Sequence, residues 1–307
     1  MAASAQLQAV IDMLRAGNEA AAAAGVAPTV AAVREMMGGT LFTAPVPSGV
    51  TVRKVTAVSV HCEWVCAAGA DPDKRLLYLH GGGHVAGDLD THRALCGDIS
   101  VASGVSVLNV DYRLAPEHPA PAQFDDAMVA YRWMLDHGPL GEGAATHAFV
   151  AGDSAGGGLA IALLLGIRDA GLPAPNAAVA LSPWADMTCS GDSMRTNAAA
   201  DPMVGQGLLS WMAGMVVADS VDARDTRISP LFGDFTGLPP LLIQVGEDET
   251  LLDDSVTMAA KATQAGVAVT LERWPDVIHV WHALGHAVPE SSRALNRIGE
   301  YLRGHFG

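Results

Sequence analysis

The 307 residues carry 33 acidic and 18 basic side chains, a formal net charge of -15, and half of them are hydrophobic. A field of that sign repels nucleic-acid backbones and anionic lipid surfaces, and the three lysines, Lys54, Lys74 and Lys261, form no cluster against it, so nucleic acid is excluded as a partner. The cysteines Cys62, Cys66, Cys96 and Cys189 show no CxxC or zinc-type spacing, the first ten residues lack the basic leader and apolar stretch of a secretory signal, and the longest uncharged apolar run, Ser154 to Ile167, is too short to cross a bilayer. These features point to one reduced, cytoplasmic domain without membrane insertion, and leave a second copy of the chain as the one protein partner in view.

In chain order, residues 1–48 are alanine-rich and strand-poor, with a helix expected near 4–24 and another opening at Thr29 and closing at Gly38-Gly39. They read as an N-terminal helical cap segment ahead of a catalytic domain over 49–307. Beyond Pro47, short valine- and leucine-rich runs alternate with helical periodicity, the signature of an α/β sheet. Eight strands are predicted, at 51–59, 60–67, 75–80, 105–110, 147–152, 177–182, 241–246 and 267–273. The first two are too close for a crossover and should pair antiparallel at one edge. Helices near 90–103, 121–137, 155–170, 252–265 and 289–304 supply parallel crossovers elsewhere. The stretch 183–240 is too long for a plain connection, which places a cap insertion at about 185–235. Its helix near 206–218 sets Leu208, Trp211, Met212 and Met215 at i, i+3, i+4 and i+7, a stripe suited, with Met36 and Met37, to lining a hydrophobic pocket over the carboxyl ends of the strands.

Two glycine-rich turns carry the chemistry. Gly152-Asp153-Ser154-Ala155-Gly156 sits between an apolar run and a helical one, the setting of a nucleophile elbow, where residues two before and two after the serine must be small. The Ala155 N–H at the helix start would face a developing oxyanion. A P-loop would need a lysine after Gly156, and none is there. Upstream, Leu76-Leu77-Tyr78-Leu79 opens into His80-Gly81-Gly82-Gly83, and the N–H groups of Gly82 and Gly83 complete a three-donor oxyanion hole, with His80 orienting the loop.

A serine hydroxyl needs a histidine base, and the base a carboxylate. Four histidines follow Ser154: His279, His282, His286 and His305. His279 lies just past the last predicted strand, where the serine-acid-histidine order of this kind of site puts the base. His282 and His286 follow at helical spacings without a metal-binding HExxH pattern and read as cap or helix residues. The acid should follow strand 241–246, and Glu247, Asp248, Glu249, Asp253 and Asp254 all qualify. Nothing in this chemistry calls for a metal or an organic cofactor.

Taken together, His80-Gly81-Gly82-Gly83, Gly152-Asp153-Ser154-Ala155-Gly156-Gly157, Asp111-Tyr112-Arg113-Leu114-Ala115-Pro116-Glu117-His118-Pro119 and Ile228-Ser229-Pro230-Leu231 before Gly237-Leu238-Pro239-Pro240 resemble the bacterial hormone-sensitive-lipase-like esterases, a branch of the α/β-hydrolases. The resemblance implies an eight-stranded α/β-hydrolase sheet with a helical cap, and a serine esterase acting on a small hydrophobic ester of short to medium acyl length. Amidase or acyltransferase chemistry with the same triad, or a non-catalytic ligand-binding homologue, are the alternatives. The family's acid stands in an Asp-Pro-Leu-x-Asp frame thirty residues before its histidine; Glu249-Thr250-Leu251-Leu252-Asp253 occupies that frame here, which favours Glu249 over Asp248. His-Gly-Phe reads His279-Val280-Trp281, changing the pocket wall and keeping the base. The run from Tyr112 to Pro119 is implied to hold the oxyanion loop from beneath.

Overall fold

The computed structural model describes residues 3–25, 27–39 and 43–307; Met1, Ala2, Val26, Thr40, Leu41 and Phe42 of the expected N-terminal segment lie outside them. Eight strands form one sheet: β1 (Thr51–Ala57), β2 (Val60–Cys66), β3 (Asp71–Leu79), β4 (Val105–Asp111), β5 (His147–Asp153), β6 (Ala177–Leu181), β7 (Leu241–Gly246) and β8 (Val269–Trp274). Their order is β1-β2-β4-β3-β5-β6-β7-β8. β2 runs antiparallel to both β1 and β4, and every later pairing is parallel. β1 stops short of the expected 59 because Ala57 already pairs with Val60, leaving Val58 and Ser59 as the hairpin turn. β3 starts before the expected 75 because Asp71 also pairs with β4, across a register shift that ends at Arg75.

Nine helices flank or cover the sheet among the described residues: α1 (Ala5–Ala23), α2 (Val30–Met37), α3 (Leu89–Ser103), α4 (Ala122–Asp136), α5 (Ser154–Asp169), the short α6 (Ser193–Thr196), α7 (Gln206–Val217), α8 (Leu252–Gln264) and α9 (Pro289–Arg303). Apolar side chains of α4, α5 and α8 form the core on one face of the sheet and those of α3 and α9 on the other. No helix among the described residues is long and apolar enough to cross a membrane. The unbroken apolar run of α5 is explained by its burial on all sides, from Ser154 through Leu165.

The two N-terminal helices part company. Val33 and Met37 of α2 join Leu209, Met212, Ala213 and Val216 of α7 in one apolar cluster above the carboxyl ends of the strands. α1 instead sets Leu7 against Val277, Ile278 and Trp281, and Ser4, its N-cap, donates from N and Oγ to the Glu290 carboxylate at 2.9 and 2.8 Å.

Glycine lets α5 approach its neighbours. A Cβ on Gly158 would lie 1.9 Å from the Trp184 carbonyl oxygen, whereas one on Gly214, exposed in the middle of α7, would meet nothing within 4 Å. Gly158→Ala should therefore lower unfolding free energy by about 3 kcal/mol or more. Gly214→Ala should raise it by about 0.5–1 kcal/mol through the lost backbone freedom of the unfolded chain. Urea denaturation of both variants measures the two signs.

Candidate active site

Four strand ends supply the site. β5 ends on Asp153 and α5 begins on Ser154, whose φ of 52° lies in the left-handed region that a tight turn imposes. The turn leaves no room for side chains: a Cβ on Gly152 would fall 2.3 Å from the Gly156 carbonyl oxygen, and one on Gly156 2.1 Å from that of Leu79. Ser154 Oγ lies 2.9 Å from His279 Nε2. His279, beyond β8, stands with its Nδ1 2.7 Å from Glu249 Oε2. The second oxygen of Glu249, which follows β7, accepts from Gly246 N at 2.6 Å and from Ser182 Oγ at 2.7 Å. All three side chains of the line are buried. Burial opposes charge on the His279 imidazole, but the Glu249 carboxylate outweighs it and holds the imidazole pKa above its ordinary value.

The loop after β3 turns at Gly82 (φ 106°) and Gly83 (φ 66°). Val85 and Ala86 donate their N–H groups to the Gly82 carbonyl, and among the described residues the N–H groups of Gly82 and Gly83 find no acceptor. Both glycines border the cavity that Ser154 and His279 face. Ala155 is not on that wall, yet as the second residue of α5 its N–H has no partner within the helix.

Asp153 fastens this loop from within. Its Oδ1 accepts from Tyr78 Oη at 2.8 Å and Gly81 N at 3.1 Å, and its Oδ2 lies 3.3 Å from His92 Nε2. Although burial pushes the carboxyl up, His92 and Tyr78 prevail and hold it below its ordinary value. Tyr112 lies beneath, donating to the His80 carbonyl oxygen at 2.6 Å and stacking on the His80 ring at 4.2 Å. From above, Arg34 of α2 donates to the carbonyls of Val85 (2.9 Å) and Ala115 (3.2 Å) and pairs with Glu117 through two hydrogen bonds of 2.7 and 2.8 Å.

The other carboxylates near Glu249 go elsewhere. Glu247 pairs with Arg273 at 3.3 Å. Asp248 lines a separate cavity beside Arg15 and Asp276, Asp253 accepts from Ser193 N at 2.8 Å, and Asp254 accepts from the N–H groups of Ala185 and Asp186 at 2.8 and 3.1 Å. His282 and His286 fall in a 3-10 stretch over Trp281–Ala287. His282 Nε2 lies 2.9 Å from Gln244 Oε1, and His286 meets Ser292 at 3.1 Å and Asp98 at 3.3 Å. His305 Nδ1 lies 2.9 Å from the Tyr301 carbonyl oxygen at the end of α9.

The cavity over Ser154 is lined by Met36, Met37, Leu208 and Met212, as the sequence suggests, and also by Val33, Met203, Val204, Leu209 and Val280. Trp211 and Met215 are not on its wall. α7 turns Leu208, Leu209 and Met212 toward the serine, so those two, on the helix's flank, pack partly buried against the surrounding apolar cluster.

The model of the alpha/beta hydrolase fold matches residues 76–283. The chain belongs to the α/β-hydrolase family. It is 46% identical over 246 residues to an acetyl-hydrolase of Streptomyces hygroscopicus, covering 79% of this chain and 80% of that protein. A crystal structure of the esterase EstE5 soaked with ethyl alcohol superposes with a TM-score of 0.91 at 45% identity, over 99% of both chains. One of an esterase from the bacterial hormone-sensitive lipase family gives 0.91 at 41% identity over the whole of both. This α/β-hydrolase thus falls in the hormone-sensitive-lipase-like branch.

Ser182 and Arg34 escape a reading of the hydrolase's sequence. The one signal at Ser182 is its place at the end of β6, where it adopts a φ of 45°. Its hydroxyl, besides donating to Glu249, accepts from Val280 N at 3.3 Å, joining Glu249 to the residue after His279.

Asp254 offers a titration test in this hydrolase. Burial pushes its carboxyl up to about 8 from an ordinary 3.8. Between those values the unfolded chain has released a proton that the folded one keeps, so this group subtracts stability progressively as pH rises. Asp254→Asn keeps an oxygen to accept both N–H groups and carries no charge. Its melting temperature relative to the parent should rise between pH 6 and pH 9, measured by thermal scans at both.

Proposed function

We propose that this carboxylic ester hydrolase cleaves short- to medium-chain esters through an acyl-enzyme on Ser154, with His279 as base and Glu249 as acid. The observation that carries the reading is the unbroken line of hydrogen bonds from Ser154 Oγ through His279 to Glu249, opening on an apolar cavity bordered by Gly82 and Gly83.

In the acylation step Ser154 Oγ attacks the ester carbonyl carbon while its proton passes to His279 Nε2. The carbonyl oxygen takes the negative charge and accepts from Gly82, Gly83 and Ala155, each such donor contributing about 3 kcal/mol to the barrier lowering. Collapse breaks the bond to the alcohol oxygen, which leaves with the proton from His279. Water then enters, gives a proton to the same nitrogen and attacks the acyl carbon, and Ser154 recovers its proton as the acid departs. Glu249 fixes the imidazole with Nδ1 as donor and stabilises its cationic form. Helices α2 and α7 serve as the cap that keeps water away and selects the acyl group. The name acetyl-hydrolase carried by the Streptomyces relative supports a short acyl chain.

Ser154→Ala should abolish turnover of p-nitrophenyl butyrate. Glu249→Gln should lower kcat about a thousandfold or more, while Asp248→Asn stays near the parent; loss confined to the Asp248 variant would reassign the acid.

His279 works as the neutral base, so kcat/KM should rise with pH through a value above 6.5, the direction in which Glu249 moves the imidazole. In Glu249→Gln the largest upward influence on the ring is gone and burial is opposed only by the charges of Asp201 and Asp153, so the residual activity should reach its plateau at lower pH. Profiles between pH 5 and 9 read both limbs.

A further inference from the structure

The cavity over Ser154 measures about 80 Å³. Among the side chains on its walls Met36 is 59% exposed, whereas Val33, Met37, Leu209, Met212 and Val280 are buried. Met212 is set apart from these by its contact with the glycine loop. It is 5% exposed, and its sulfur presses against Gly83 so closely that a Cβ there would lie 2.2 Å from Sδ. A methionine can swing through its three rotatable bonds, but close packing in the cluster of α2 and α7 on one side and the loop on the other restricts that freedom.

The chemistry decides which part of the substrate meets this wall. The alcohol oxygen has to take its proton from His279 Nε2, so the alcohol portion is directed to the side of His279 and Val280. The carbonyl oxygen is held by Gly82, Gly83 and Ala155. The remaining substituent of the tetrahedral carbon is the acyl chain, which is left the part of the cavity walled by α2 and α7, where Met212 rests on Gly83. We propose that Met212 sets the acyl-length limit of the enzyme: its thioether closes the acyl end of the cavity and confines good substrates to acetyl through butyryl esters. The inference rests on Ser154 and His279 acting as nucleophile and base.

The test is kcat/KM for p-nitrophenyl acetate, butyrate, hexanoate and octanoate, with acetate esters of ethanol, butanol and hexanol as the alcohol series. In the parent, the acyl series should fall steeply beyond butyrate. In Met212→Ala the octanoate-to-acetate ratio should rise at least about tenfold, the discrimination a few methylenes in an apolar pocket command, with the alcohol series unchanged in its ratios. Met212→Phe should lower butyrate against acetate. Should Met212→Ala fold poorly, Met212→Val gives a smaller opening and the same direction of change. A uniform fall across all acyl lengths, a shift in the alcohol series instead, or a parent that already turns over octanoate as well as acetate would overturn the role of Met212 while leaving the nucleophile and base intact. A Ser154→Ala enzyme that still hydrolyses these esters would instead remove the reading on which the inference stands.

Discussion

The Asp153 carboxylate is the group on which both halves of the site depend. It stands next to Ser154 in the chain and accepts from Gly81, the residue before the two loop glycines. The turn that carries the hydroxyl and the first residue of the glycine loop are therefore tied together through one side chain, buried among Tyr78, His92 and the loop. A buried anion is tolerated only where its hydrogen bonds are met, and Tyr78, Gly81 and His92 meet them. Gly81 cannot be anything larger, since a Cβ there would fall 2.2 Å from Asp153 Oδ2. Gly81 and Gly156 thus answer to a single steric demand, the close approach of the strand-to-helix turn and the loop after β3, visible again in the contact a Gly156 Cβ would make with the Leu79 and His80 carbonyls, whereas Gly82 and Gly83 are crowded by Ala86 and Met212.

That demand explains what could be read from the sequence. Where a residue is fixed by short-range sterics, the pattern is legible: small residues around Ser154, three glycines after a buried strand, and a histidine just past the last strand. The sheet was legible for a similar reason, because strands buried on both faces leave continuous apolar runs bounded by turns. The acid was not. Glu247, Asp248, Glu249, Asp253 and Asp254 satisfy one local rule, and the residues that separate them are distant in sequence: Ser182 reaches Glu249, Asp254 caps the chain at Ala185 and Asp186, and Arg273 takes Glu247. Only the resemblance, through the spacing to His279, singled out Glu249. The pocket wall failed for a different reason. A helical stripe names a buried face, but α7 is packed on more than one side, so periodicity could not say that Leu209 would face the serine and Trp211 would not.

Arg34 gives the N-terminal segment a part that composition alone does not suggest. Its guanidinium spans the carbonyls of Val85 and Ala115 and the Glu117 carboxylate, so α2 is latched to the loop after β3 and to the run beneath it at once. The same helix offers Val33, Met36 and Met37 to the cavity. Glu117 is held well below its ordinary value, to about 2, chiefly by this guanidinium, so the latch stays charged over the whole range in which His279 titrates. The ion pair is open to solvent and contributes little stability on its own. Its effect is geometric, because a planar guanidinium engaging three acceptors fixes an orientation that a single contact would not.

The site therefore has two anchors of opposite character acting on one loop. Asp153 holds residues 80–83 from the core, through buried hydrogen bonds that persist as long as the sheet does. Arg34 holds residues 85 and 115 from the solvent side, through bonds on a short helix that can open locally at lower cost. Between them lies Gly83, its Cα covered by Met212. Helices α2 and α7, which carry the latch and the methionine, both touch this one loop, so neither can shift without reaching it. On the proposed mechanism, selectivity for the acyl chain and stabilisation of the transition state would share this structural element.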